Sequence, residues 1–209
     1  MTRVNHPIFA RLYARISPGA EKKGAGEHRD ELLAGLEGRV IEIGAGNGLN
    51  FSHYPGTVTE VVAVEPEQYL RAKAVEAARG ASVPVTVVDG TADALPAQDG
   101  AFDAAVVSLV LCSVPDQGAA LAEIRRVLRP GGELRFYEHV VDDKPRVAAF
   151  QRKLDDYNIW PRLAGGCHVA RDTGAAIERA GFAVERSRGF SFAPGPFPIK
   201  HVIGVARRP

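Results

Sequence analysis

An apolar run that ends in a glycine-rich loop constrains this chain more than any other segment: Arg39-Val40-Ile41-Glu42-Ile43, then Gly44-Ala45-Gly46-Asn47-Gly48. The run is short and continuous, as expected of a strand buried on both faces of a parallel sheet. Glycines directly after such a strand let the backbone turn tightly and approach a ligand without a Cβ in the way. Glu65 ends the next apolar run, Val58 to Glu65, 17 residues beyond Gly48. A carboxylate there can accept both ribose hydroxyls of a nucleoside lying across the strand ends. The dinucleotide fingerprint requires glycine at position 49, where Leu49 stands, and this counts against a nicotinamide enzyme. Alternating glycines at 44, 46 and 48 fit a nucleoside with an amino-acid tail better. Glu42 then acts through the loop or a water on the tail's ammonium, or caps the loop structurally.

The alternation of strands and helices continues along the chain. Ile8, Phe9, Leu12 and Ile16 have helical spacing from about Pro7 to Ile16, and Pro18-Gly19 is expected to break that helix. A second helix is predicted from Glu27 to Leu36, ending at Gly38. Gln68 to Arg79 reads as a helix, Val83 to Val88 as a third strand and Phe102 to Leu111 as a fourth. Asp116 caps a helix running to Leu128, which stops at Arg129-Pro130-Gly131-Gly132. Glu133 to Val141 is a fifth strand, and helices follow from Arg146 to Asn158 and from Thr173 to Ala180. Val184 to Gly189 and His201 to Ala206 are two late strands, joined by the Pro-rich stretch Ala193 to Pro198 and able to pair antiparallel. The expected fold class is α/β: a Rossmann-like, seven-stranded, mostly parallel sheet with helices on both faces and a small helical cap. No linker divides the chain, so residues 1–209 form one expected domain. Within it, 1–37 is an N-terminal helical lid, 38–142 a cofactor-binding core, and 143–209 cap helices with the C-terminal antiparallel strands.

Charge and cysteine usage narrow the function. Lys and Arg total 26 against 25 Asp and Glu, a balance that gives no reason to expect nucleic acid as a partner. Cys112 and Cys167 lie 55 positions apart without a CxxC pair, so neither a zinc site nor a disulfide framework is indicated, and no metal is expected. There is no basic-then-apolar leader and no apolar run of about 18 residues. The reading is a soluble protein of the reducing cytoplasm with no stable membrane anchor. Oligomeric state cannot be read from these features.

In the order of its motifs the chain resembles the class I S-adenosylmethionine-dependent methyltransferases of type 11. Glu42 to Gly48 is similar to their first motif and Glu65 to their ribose acid. Asp89 to Pro96 resembles the adenine-side segment, Phe102-Asp103 the start of the fourth motif, and Arg126 to Gly132 the turn before the fifth strand. The resemblance implies S-adenosyl-L-methionine as cofactor, with S-adenosyl-L-homocysteine as product. The cofactor-binding residues it implies are Glu42, Gly44, Ala45, Gly46, Gly48, Glu65, Pro66, Gly90, Thr91, Ala92, Ser108 and Leu109. Thr91 departs from the pattern, since many relatives carry an acid there for the adenine amino group; Asp93 or Asp89 are the alternatives.

Methyl transfer from a sulfonium is an in-line displacement, so the protein must align and desolvate the nucleophile and sometimes take its proton. The acceptor is expected where the fourth and fifth strands open toward the cap. His139 is the first choice for a proton acceptor, because its intrinsic pKa suits neutral-pH chemistry. Glu138 reads as an orienting or structural carboxylate and Cys112 as a small packing residue. The candidate substrate-binding set is Tyr13, Cys112, His139, Trp160, His168 and Arg171, with His168 either capping the following helix or facing the pocket. The segments Leu109 to Val114, Glu138-His139-Val140, Gly166-Cys167 and Arg171-Asp172-Thr173 resemble the methyltransferase-like group that includes mammalian alkyl-thiol S-methyltransferases. That resemblance implies a small thiol acceptor, held as its thiolate. Alternatives are N-, O- or C-methylation of a phospholipid amine, a quinone precursor or a natural product, or a non-catalytic cofactor-binding protein.

Overall fold

A computed structural model describes residues 7–193 and 197–209; residues 1–6 of the expected lid, and part of the Pro-rich stretch from Ala193 to Pro198, lie outside them. Seven strands form one sheet: β1 (Gly38–Ile43), β2 (Val58–Val64), β3 (Val85–Val88), β4 (Phe102–Ser108), β5 (Leu128–His139), β6 (Ala183–Phe192) and β7 (Ile199–Arg207). Their order is β3-β2-β1-β4-β5-β7-β6. The first five run parallel, and β7 lies antiparallel to both β5 and β6. The Rossmann-like α/β class and the mostly parallel seven-stranded sheet are as expected from the alternating pattern.

Side chains alternate across the central strands and fill two cores. Ile41, Ile43, Ala105 and Val107 face one core, closed by Leu121 and Ile124 of α4 (Gln117–Val127) and Ile177 of α7 (Thr173–Arg179). Val40, Ala104 and Val106 face the other, closed by Leu32 and Leu33 of α2 (Gly26–Leu33) and Ala74 of α3 (Gln68–Ala78). Both faces are therefore dry, which is why these strands read as unbroken apolar runs.

Several element ends differ from expectation for identifiable reasons. The first helix, α1 (Pro7–Ala20), carries Pro18 inside it rather than stopping there. The chain deviates instead at Gly24, whose φ of 110° lies in the left-handed region that glycine adopts without a Cβ clash. β4 ends at Ser108, short of Leu111, because Leu109 turns out of the strand at φ 61°. β5 starts at Leu128, and its register against β4 jumps so that Glu133, after the Arg129–Gly132 turn, pairs with Ala104. After α5 (Pro145–Asp156) comes a short helix the pattern does not show, α6 (Ile159–Leu163), entered through Asn158 in the left-handed region. Asp116 caps α4 as predicted, accepting from the Ala119 N–H at 3.1 Å. The helix α7 is capped by Asp172, which accepts from Ala175 at 3.0 Å, so His168 does not cap it.

Candidate active site

The glycine loop is fixed to the end of β2 before any side chain is considered. The N–H groups of Gly44 and Ala45 donate to the Val64 carbonyl at 2.8 and 3.1 Å. Gly44, Gly46 and Gly48 all have positive φ, and a Cβ on Gly44 would lie 2.5 Å from Val110. Glu65 is buried at the end of β2, where Oε2 accepts from the Gly46 N–H at 2.7 Å and Oε1 from the Glu67 N–H at 2.9 Å. Burial pushes its carboxyl up despite those bonds. Beneath the loop, Glu42 accepts from Tyr54 Oη at 2.7 Å and Asn50 Nδ2 at 2.9 Å. Its carboxyl is pushed up to about 7 by burial, against the lowering effects of Tyr54, Asn50 and Arg29.

Two N-terminal helices complete this half of the cleft. Arg29 of α2 is buried and donates to Glu21 Oε1 at 3.0 Å, Asn50 Oδ1 at 2.5 Å and Ser108 Oγ at 3.3 Å. Sequence reading missed Arg29, Asn50 and Tyr54. The signal for Arg29 was its spacing from Leu32, Leu33 and Leu36, which places a charge on the buried stripe of a helix. Tyr13 of α1 lies over the loop, its ring 3.5 Å from where a Gly46 Cβ would sit. It thus stands on the glycine-loop side of the cleft. Ser17 Oγ, one helical turn on, accepts from Asn47 Nδ2 at 3.1 Å.

The adenine-side segment is less engaged. Gly90 packs close under Pro96 and Val64, where a Cβ would fall 2.8 and 2.9 Å from them. Thr91 and Ala92 are half-buried, Asp93 is exposed, and Asp89 is exposed and paired with Arg71 at 3.0 Å. The Pro66 carbonyl accepts from the same arginine at 3.0 Å.

A second cluster forms where β4 and β5 open toward the cap. Glu138 is fully buried and accepts from the N–H groups of Val110, Leu111 and Cys112 at 2.9, 2.9 and 3.1 Å, fixing the loop after β4. Burial still pushes its carboxyl up. His139 Nδ1 lies 3.2 Å from Cys167 Sγ and 3.7 Å from Cys112 Sγ. The two cysteines, which their spacing left unconnected, are brought together because the His168 N–H donates to the Cys112 carbonyl at 2.8 Å. Gly166, at φ 93°, lets that backbone pass 3.1 Å from Ser113 O at the Cβ position. The Cys167 thiol is drawn well below its ordinary range by a hydrogen bond from Cys112 and then by His139, against burial. Cys112 is pushed up as its counterpart, and His139 rises because, against burial, the hydrogen bond and charge of Cys167 act together with Glu138. Trp160 packs against the cysteine cluster, and its buried indole N–H is directed at Cys167, lowering that thiol further.

Two predicted substrate residues are engaged by protein groups around this space. Arg171 Nη1 donates to the Leu111 and Val114 carbonyls, both at 2.7 Å, and so braces the loop after β4. The His168 ring stands 3.8 Å from Asp155. His139 itself presents Nδ1 to sulfur, which leaves only Nε2 for a substrate proton.

A family model described as a methyltransferase domain matches residues 41–136. Thiol S-methyltransferase TMT1B of Homo sapiens is 32% identical over 84% of this chain and 75% of that protein. The protein of the same name from Rattus norvegicus is 34% identical over 95% of this chain and 85% of its own length. The chain is a class I S-adenosylmethionine-dependent methyltransferase. The YcgJ protein of Bacillus subtilis shares its fold, with a TM-score of 0.68 at 18% identity over 88% of this chain and 97% of that one.

The residues present suit the methyltransferase's cofactor. Glu65 spends two of its roughly four lone-pair sites on backbone N–H groups, leaving acceptors for a diol at the strand ends. Asn47 Oδ1 is a buried acceptor at the loop with no partner among the described residues. The glycine loop, Glu65 and the half-buried Thr91-Ala92 pair are the groups that would hold the nucleoside, and Tyr13 would cover it. When bound, S-adenosylmethionine supplies an activated methyl group on a sulfonium. Among the described residues, no helix of this methyltransferase is long and apolar enough to cross a membrane.

Proposed function

We propose that this small-molecule methyltransferase acts on the sulfur of a small thiol. The observation that carries this reading is the reach of the similarity. The family model stops at residue 136, while the likeness to thiol S-methyltransferases extends over 84% of the chain and so into the cap, where acceptor contacts lie. The geometry of the cap supports it. His139 stands beside two cysteines and the Trp160 wall, where a soft sulfur nucleophile is desolvated at little cost. We assign His139 the task of favouring the ionised acceptor. The cofactor set stands as Glu42, Gly44, Ala45, Gly46, Gly48, Glu65, Pro66, Gly90, Thr91, Ala92, Ser108 and Leu109. Lid 1–37, core 38–142 and cap 143–209 are read as one working domain.

The test is S-adenosylhomocysteine formation with a panel of alkyl thiols, amines and phenols. Turnover is expected with the thiols, its rate rising with pH as the thiolate fraction grows. Turnover confined to amines or phenols would discard the thiol assignment.

A further inference from the structure

We infer that Cys112, His139 and Cys167 form a three-ligand site for a thiophilic divalent cation of the zinc class, with its fourth position open to the acceptor's sulfur. The second half of this inference rests on the thiol reading above; the first does not. The three donor atoms all lie within 4.8 Å of one another, and they come from separate elements: the loop after β4, the end of β5, and the loop after α6. Around a tetrahedral zinc ion, with Zn–S of about 2.3 Å and Zn–N of about 2.0 Å, neighbouring nitrogen and sulfur ligands stand roughly 3.6 Å apart. His139 Nδ1 lies 3.2 and 3.7 Å from the two sulfurs, on either side of that value. Two cysteines and one histidine are also the soft donor set that zinc prefers in a site keeping one position free.

Groups outside the three ligands hold them in position, as a metal site requires. Three N–H bonds to Glu138 and two carbonyl bonds to Arg171 hold the Cys112 loop. The Cys112 carbonyl ties the Cys167 loop to it through the His168 N–H. The buried Trp160 indole N–H in the wall of the cluster is directed at Cys167, and a thiolate sulfur is an acceptor for it. Two thiolates and a dication sum to zero charge, so the site can be buried; a third thiolate adds one negative charge, and Arg171 stands close enough to Cys112 and Cys167 to offset it. An incoming thiol would bind through sulfur and release its proton to water. Its lone pair would then form the new carbon–sulfur bond as the donor's carbon–sulfur bond breaks, with the electron pair going to the donor sulfur.

The test uses the full chain kept reduced by a phosphine, titrated with Co2+ in place of Zn2+. One equivalent should bind with thiolate-to-cobalt charge-transfer absorption, and Zn2+ should displace it. Cys112→Ser and Cys167→Ser should each weaken binding by more than roughly 100-fold, the upper end of what loss of an outer-shell partner costs. Retained S-adenosylmethionine binding would show that these variants are folded. No stoichiometric uptake by folded wild-type protein overturns the site. Adding ethanethiol to the cobalt form should alter the charge-transfer band, and an unaltered band overturns the open position. Undiminished thiol turnover by chelator-stripped protein refutes the cation's role yet leaves thiol methylation standing. Stoichiometric uptake without thiol turnover keeps the cation site and removes the thiol acceptor.

Discussion

At the scale of single residues, two buried carboxylates set the behaviour of the cofactor half. Glu65 joins the glycine loop to the end of β2 through Gly46 and Glu67. Glu65→Gln keeps the shape but turns a donor toward a donor, and an unmet polar group costs about 1–3 kcal/mol. S-adenosylmethionine affinity should therefore fall roughly 5- to 150-fold by calorimetry, and unaltered affinity would remove Glu65 from the site. Glu42 makes a separate prediction. Its carboxyl rises from 4.5 to about 7 on burial, so the folded chain holds a proton that the unfolded chain gives up. The stability this contributes is complete below about 4.5 and is lost as pH rises through about 7. Urea midpoints of the ligand-free protein should fall between pH 5 and 8, and Glu42→Gln should flatten that slope. Glu65 and Glu138 are also shifted upward, so part of the slope should remain. An unchanged slope in the variant would mean Glu42 is ionised in the fold. Glu42, the glycines and Glu65 were legible because each adjoins a strand end within a short stretch of sequence. The cysteine–histidine cluster was not, since Cys112 and Cys167 meet only through loops 55 residues apart that pair backbone to backbone.

At the scale of elements, α1 decides how the cleft is covered. Its Phe9 ring stacks on Tyr13, with centroids 5.9 Å apart, and lies against Gly165 after α6, where a Cβ would come within 2.4 Å of the ring. One aromatic side chain thus links the N-terminal helix to the loop carrying Cys167. Phe9→Ala should speed amide exchange in α1 severalfold while leaving β1 and β4 protected, because the packed strands open only with the whole fold. Equal protection in both proteins would show that the Ser17–Asn47 contact and Tyr13 suffice to hold α1. The amphipathic spacing that revealed α1 could not reveal its length. Pro18 forgoes only its own bond to the carbonyl four residues back and does not end the helix, and the break came at a glycine that the apolar pattern does not mark. The helix α6, five residues long, is below the length at which periodicity is visible.

For the whole molecule, the proposed single domain predicts one unfolding transition. Trp160 is the only tryptophan and sits in the cap, while far-UV circular dichroism reports mainly on the sheet and its helices. The two signals should share one urea midpoint. A fluorescence change that precedes loss of ellipticity would make the cap a separately folding layer. The sheet order places β7 between β5 and β6, although β6 comes first along the chain. During synthesis, then, the outer edge of β5 stays bare from His139 until Arg207 has been added, and β6 has no seat in the meantime. At ribosomal speeds of about 5–20 residues per second, that interval lasts roughly 3–14 s. Through those seconds a nearly complete sheet offers an open strand edge to any neighbour. The strand that seals β5 leaves the ribosome after the outer strand it must itself seat, so misassembly is risked in the interval before β7 is made.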